Sequence, residues 1–170
     1  MTEAKFDLSE QDYRYLFENA SDAMWVHDMN GFIVDANKAD EKLSGFTRNE
    51  LIGKNVGDFL TGESRKAARE RRRQLLNNGE IIEPYEQRLI RKDGTIRIVM
   101  MSTSLVKRDD KPVGFQHVAR DITDEKSLEE RLSKIIDGSP IPSFVLDKEH
   151  KITHWNTALA AISGLNAKTL

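Results

Sequence analysis

The sequence predicts an α+β fold in which two strands, a helical middle and three further strands follow one another along the chain. Two observations carry this reading. Short apolar runs flank a turn within 23–36 and strand-like periodicity returns over 85–120, but between them apolar residues recur at helical spacing, and turn residues fall where the pattern changes. In addition, residues 16–51 recur without a gap as 135–170. At an offset of 119, Val26/Val145, Asp28/Asp147, Ile33/Ile152, Asn37/Asn156, Ser44/Ser163 and Gly45/Gly164 are identical pairs. The stretch 53–134 has no second counterpart. The chain therefore reads as one whole module followed by the opening of another, and as the front part of a longer multidomain protein.

Taken in order, Ser9 can cap a helix whose Tyr13, Leu16, Phe17 and Ala20 share one apolar face. Residues 23–27 and 32–36 are short apolar runs around the turn Asp28-Met29-Asn30-Gly31, which reads as a β-hairpin. Asn37 ends the second strand and can cap a short helix that Ser44-Gly45 terminates. Short helical pieces follow near 48–52 and 55–60. A longer helix opens at Ser64 and closes at Asn77-Asn78-Gly79. Tyr85–Arg91, the turn Lys92-Asp93-Gly94, Thr95–Lys107, a polar loop over 108–112 and Val113–Arg120 then form a three-stranded antiparallel meander. Asp121 and Thr123 are both suited to cap the next helix, whose Leu128, Leu132 and Ile135 are spaced as in a coiled coil.

Composition narrows the class. With 170 residues, 38% hydrophobic and 32% charged, the chain can bury one modest core. No apolar run approaches the roughly 20 residues that a bilayer span needs, and the first dozen residues lack the basic and apolar segments of a secretory signal. The expectation is a cytoplasmic protein. The absence of cysteine excludes disulfides, thiolate metal sites and cysteine nucleophiles. A net charge of −2 gives no overall attraction to nucleic acid. Arg65, Lys66, Arg69, Arg71, Arg72 and Arg73 form one basic cluster, but with Glu63, Glu70 and Glu80 interleaved it reads as a solvated helix face. No phosphate-binding glycine loop, nucleophile elbow or metallohydrolase motif occurs, so the expectation is a non-enzyme. His150 and His154 lie across a turn and strand, and no metal is assigned to them.

The motif series Asp28-Met29-Asn30-Gly31, Val34 through Ala39, Ser44 through Gly53, Arg91 through Thr95, Pro112 through Phe115 and Ala119 through Lys126 resembles PAS domains. These are the sensory modules found in tandem in histidine kinases, cyclases and transcriptional regulators. The resemblance spans about residues 10–126 as one copy and about 133–170 as the start of another. It implies a five-stranded antiparallel sheet whose concave face, closed by the middle helices, forms a pocket or packed core. It also implies that Asp121-Ile122-Thr123 hands a signal to the following helix. The division expected is 1–21 for the N-terminal helix, 22–122 for the PAS domain, 123–137 for the connector and 138–170 for the truncated second copy.

On the last strand of the module, Phe115, His117 and Ala119 share a face, which points His117 at the pocket. It reads first as a core histidine hydrogen-bonded to a neighbour and second as a ligand contact. Haem ligation is disfavoured, since haem-binding relatives take their axial histidine from the long middle helix and 64–78 holds none. Strand and helix parity suggest a pocket lined by Val26, Ile33, Leu43, Phe59, Leu75, Leu89, Met101, Phe115 and His117, mostly apolar with one polar handle. Met24, Trp25 and His27 are expected to pack against the N-terminal helix or a second subunit. Covalent flavin chemistry needs a cysteine. Non-covalent flavin adenine dinucleotide, a small carboxylate or aromatic metabolite, and an empty core remain open. The leading expectation is a ligand-binding sensor module in a homodimer and joined to an output domain; the alternative is a ligand-free dimerisation and protein-interaction module.

Overall fold

The computed structural model describes residues 8–78 and 82–164, and it divides into two compact units, Met1–Thr123 and Asp124–Leu170. In the first unit the order is α1 (Glu10–Glu18), β1 (Ala23–Asp28), β2 (Ile33–Ala36), α2 (Lys38–Ser44), α3 (Arg48–Leu51), a 3-10 turn (Val56–Phe59), α4 (Gly62–Asn78), β3 (Ile82–Ile90), β4 (Ile96–Arg108) and β5 (Lys111–Asp121). The five strands form one antiparallel sheet with the order β2-β1-β5-β4-β3. The first and last strands of the module are thus neighbours, and the helical middle spans the sheet between its two edge strands.

Local chemistry explains the corners. Ser9 and Asp12 form a reciprocal capping box at the start of α1. The Asp28 carboxylate accepts the Asn30 and Phe32 amides and closes the β1–β2 turn at Gly31. Asn37 is fully buried: its Oδ1 accepts the Met24 and Asp40 amides while its Nδ2 donates to the Phe17 and Asp22 carbonyls. One side chain therefore caps α2 and holds the end of α1 to the start of β1. Asp35 links three elements, at 2.7 Å from Arg14 and 2.8 Å from Arg48. Gly45 ends α2 at φ +76°.

Two expected boundaries move. The long helix begins at Gly62 and not at Ser64, because the Thr61 hydroxyl accepts the Ser64 amide and its carbonyl the Arg65 amide. The expected loop 108–112 is a two-residue hairpin turn with Asp109 at φ +49° and Asp110 at φ +60°, so Lys111 and Pro112 already belong to β5.

The core covers the concave face of the sheet, with Trp25, Ile33, Leu43, Leu51, Val99 and Met101 buried in one cluster. Gly114 is required where β5 passes β1: a Cβ there would collide with the His27 carbonyl oxygen.

In the second unit, helix α5 (Thr123–Gly138, beginning at the boundary) is followed by β6 (Phe144–Leu146), β7 (Ile152–Trp155) and α6 (Thr157–Ser163). Asn156 repeats the role of Asn37 at the 119-residue offset. Its Oδ1 accepts the Ser143 and Leu159 amides, and its Nδ2 donates to the Ile136 and Ile141 carbonyls. The expected tail lies partly at 165–170, outside the described residues. Among the described residues no helix is long and apolar enough to cross a membrane.

Candidate functional site

Between the sheet and the helical middle lies a cavity of about 400 Å³. Strand alternation decides what faces it. In β1 the buried positions are Ala23, Trp25 and His27, while Met24 and Val26 turn to the other side. Antiparallel pairing sets Trp25 opposite His117, and His117 opposite Thr103, so three strands contribute one row of side chains to the cavity wall. Trp25 and His27 each lie 5.0 Å from the His117 ring in near-parallel planes, and Phe115 lies 5.1 Å from His27.

Polar groups run behind this stack. The Tyr85 hydroxyl is 2.8 Å from Thr103 Oγ1, which is 2.9 Å from His117 Nδ1. The Thr103 hydroxyl carries a single proton, so if Tyr85 donates to it and it donates to His117, both hydroxyl protons are used and the imidazole proton sits on Nε2. Part of the His117 ring faces the cavity, but Nε2 is shielded from solvent and has no hydrogen-bond partner. Burial, with a smaller contribution from His27, pushes His117 down to about 3, and the ring is neutral at physiological pH. Burial likewise lowers His27, whose Nδ1 lies 2.7 Å from the Asp28 carbonyl that accepts its proton.

Helix α4 supplies the opposite wall. Arg71 lies over the Tyr85 ring, 3.6 Å from its centroid, and donates to Gln87 Oε1 at 3.1 Å. Arg72 donates to the Met29 carbonyl and sits 5.4 Å from the Phe115 ring. Arg65 and Arg69 reach the same cavity from the exposed side. From α2, Asp40 also lines it: this carboxyl is 5% exposed and is pushed up to about 7 by burial and then by Glu41.

The structure therefore brings Ile33, Phe59, Leu75, Leu89, Met101, Phe115 and His117 together at the cavity, as parity suggested. Two candidates do not belong there. Val26 lies on the other side of β1, in register with Asp35 and Gln116. Leu43 packs into the core and lines a separate surface cleft beside Ala39 and Ala119, because Asp40 and Ser44 take the cavity side of α2. Trp25 and His27, expected to pack outward, instead form the cavity wall. The lining is also more polar than one handle, and Arg71 and Arg72 are half-buried in it, not a solvated face. Every residue of α4's stripe Arg65, Ala68, Arg72 and Leu75 lines the cavity, at a spacing of three and four that was visible in the sequence.

At the end of β5 the chain is fastened before it enters α5. The Thr123 amide and hydroxyl both donate to Asp121 Oδ1, at 2.9 and 2.5 Å. The Ile98 amide donates to Thr123 Oγ1 at 2.9 Å, and the Ile122 amide donates to the Ile98 carbonyl. Elsewhere His154 Nε2 lies 3.3 Å from Asp137, and among the described residues no group of three His, Cys, Asp or Glu is placed to hold a metal ion.

The sequence profile of the PAS fold matches residues 11–122 and again 130–170. Among curated proteins, sporulation kinase E of Bacillus subtilis is 26% identical over 95% of this chain and 24% of its own length. A sensor histidine kinase, TmoS of Ectopseudomonas mendocina, is 25% identical over 75% of this chain and 13% of its own. The chain thus spans a quarter or less of these relatives. Among solved structures, a PAS domain from Colwellia psychrerythraea is 26% identical and superposes with a TM-score of 0.62 over 67% of this chain and 97% of its own.

Proposed function

The chain belongs to the PAS fold family, a family of sensory and not catalytic modules, and from that premise we propose that it is the sensing part of a larger signal-transduction protein. Its cavity takes a small molecule, and the Asp121-Thr123 junction passes the resulting change into α5. One observation carries the reading. The strand that offers Phe115 and His117 to the cavity is the strand that ends, four residues beyond His117, in the clamp on Ile98. A change in side-chain packing along β5 has a short rigid path to the first turn of a helix, with no flexible linker to absorb it.

The names of the relatives support a histidine kinase as the output, and the proposal places the module in a cytoplasmic, dimeric assembly. The divisions 1–21, 22–122, 123–137 and 138–170 follow from the same proposal, with the last as the start of a second PAS module. The repeated Asn37 and Asn156 hydrogen bonds support it, since α5 ends where Asn156 holds it, as α1 ends at Asn37. The test is a double variant, Asp121→Ala with Thr123→Ala, in the full-length protein. Output should become independent of input while the cavity keeps its ligand. An output that still follows every input removes the relay.

A second reading has its own observation. Tyr13 and Leu16 on α1 are 60% and 55% exposed, an apolar face that a second copy could cover in a ligand-free dimerisation module. Gel filtration with and without residues 1–20 separates the two, because a truncated chain that is folded and keeps its dimeric size counts against dimerisation through α1.

A further inference from the structure

We propose that the cavity recognises a small organic acid, a compact molecule whose flat or apolar body lies against Trp25 and Phe115 and whose carboxylate faces the arginines of α4. This deepens the sensor reading above and rests on it.

The first support is unbalanced charge. Arg65, Arg69, Arg71 and Arg72 all line the cavity, and none forms a salt bridge with a carboxylate among the described residues. The outward neighbour Arg73 does, at 2.8 Å from Glu70. The two carboxyl groups in the lining are Asp40 and Asp58. Asp40, raised to about 7 by burial, carries its proton below that value. Positive charge focused into a partly enclosed space acts more strongly than the same charge on an open surface.

The second support is the direction of the unused hydrogen bonds. Among the described residues of the first unit the buried side-chain atoms without a partner are Gln87 Nε2, Arg91 Nε and His117 Nε2, and of these residues Arg91 and His117 line the cavity. Arg91 Nε is a donor, and His117 Nε2 is one in the tautomer in which Tyr85 donates to Thr103 and Thr103 to His117. Arg71 and Arg72 spend one donor each on Gln87 and the Met29 carbonyl out of the five that a guanidinium carries. A wall with donors to spare suits a ligand that brings acceptors, and the fork of a guanidinium matches a carboxylate in two parallel bonds.

The third support is the body of the site. The Trp25, His117 and His27 stack, with Phe115, Met101 and Leu75, offers flat and apolar surface. A space of about 400 Å³ lies at the small end of ligand sites. An inorganic anion would leave that surface unused, and a neutral ring would leave the arginines unpaired.

The test uses the whole chain carrying Trp155→Phe, so that Trp25 is the sole tryptophan. Benzoate, its uncharged analogue benzamide and inorganic phosphate are titrated separately, followed by Trp25 fluorescence and by thermal melting. Benzoate should shift both readouts and bind at least about tenfold tighter than benzamide or phosphate, as expected for one charge-assisted pair. Arg72→Gln should remove that preference and leave benzamide unchanged. Arg69→Gln, at an exposed position that does not threaten folding, should reduce it. Equal binding of benzoate and benzamide overturns the acid class while leaving the ligand cavity standing. Phosphate binding as tightly as benzoate overturns the organic body. No response to any of the three counts against the ligand cavity itself, and the proposal falls with it.

Discussion

Replacing Asp40 by Asn isolates the most perturbed carboxyl among the described residues. The unfolded carboxyl ionises near 3.8, while in the fold it holds its proton up to about 7. Between those values folding takes up a proton, so Asp40 lowers stability as pH rises through that window and adds no further slope above it. Worked from the two values, its cost is about 1.5 kcal/mol at pH 5 and about 4 kcal/mol at pH 8. Asn keeps the shape of the protonated acid, and the capping bond at this position is made by the Asp40 amide, which the substitution retains. The variant should therefore exceed the parent in stability by about 2.5 kcal/mol more at pH 8 than at pH 5. Other groups titrate too. Buried His27 and His117 work in the opposite sense, their contribution being lost as pH falls below 6.5. They do so in both proteins, so the difference between variant and parent cancels them. Urea denaturation at the two pH values is the assay. A stability difference that is the same at pH 5 and pH 8 would refute the argument that Asp40 is buried as a neutral acid.

Three further outcomes follow from the geometry. Gly114→Ala forces β1 and β5 apart at the His27 carbonyl and should cost about 2 kcal/mol or more in a urea melt; a change within about 0.5 kcal/mol would mean that the strands yield easily. Thr123→Ala removes the hydroxyl that accepts the Ile98 amide and donates to Asp121, and should cost about 1–2 kcal/mol. Hydrogen exchange of the Ile98 amide should rise with it. The His117 ring should show no titration by NMR between pH 5 and pH 8, and a midpoint near 6.5 would contradict its enclosure.

Much of this fold was legible because its signals are local. Ser9, Asn37, Gly45 and the Asp121-Thr123 pair each satisfy or terminate a backbone segment within a few residues, and each does so where the sequence placed it. The five-stranded sheet followed from the motif series, since no local signal pairs β1 with β5 across about ninety residues. That same long-range pairing decides which side of β1 faces inward, and this is where the reading of the site failed. Val26 is apolar and was placed in the pocket, while Trp25 and His27 were placed outside; pairing with His117 reverses both. Arg71 and Arg72 of α4 were misread for a related reason, while Arg65, Arg69 and Arg73 are exposed as expected. Interleaved glutamates suggest a solvated face, yet Arg72 and Leu75 share the inward stripe, and only the sheet opposite reveals which stripe is inward. The turn at Asp109-Asp110 lacks the glycine that usually announces positive φ, so a loop was expected in its place.

The central claim is that an occupant of the cavity is felt at the junction with α5. Two-dimensional amide NMR of the whole chain during titration with benzoate tests it most directly. Shifts are expected at Trp25, Phe115 and His117 that continue along β5 to Ile122 and Thr123 and reach Ile98 on β4 through its hydrogen bonds to them. Shifts confined to the cavity wall, with Ile98 and Thr123 unmoved at saturation, would contradict it.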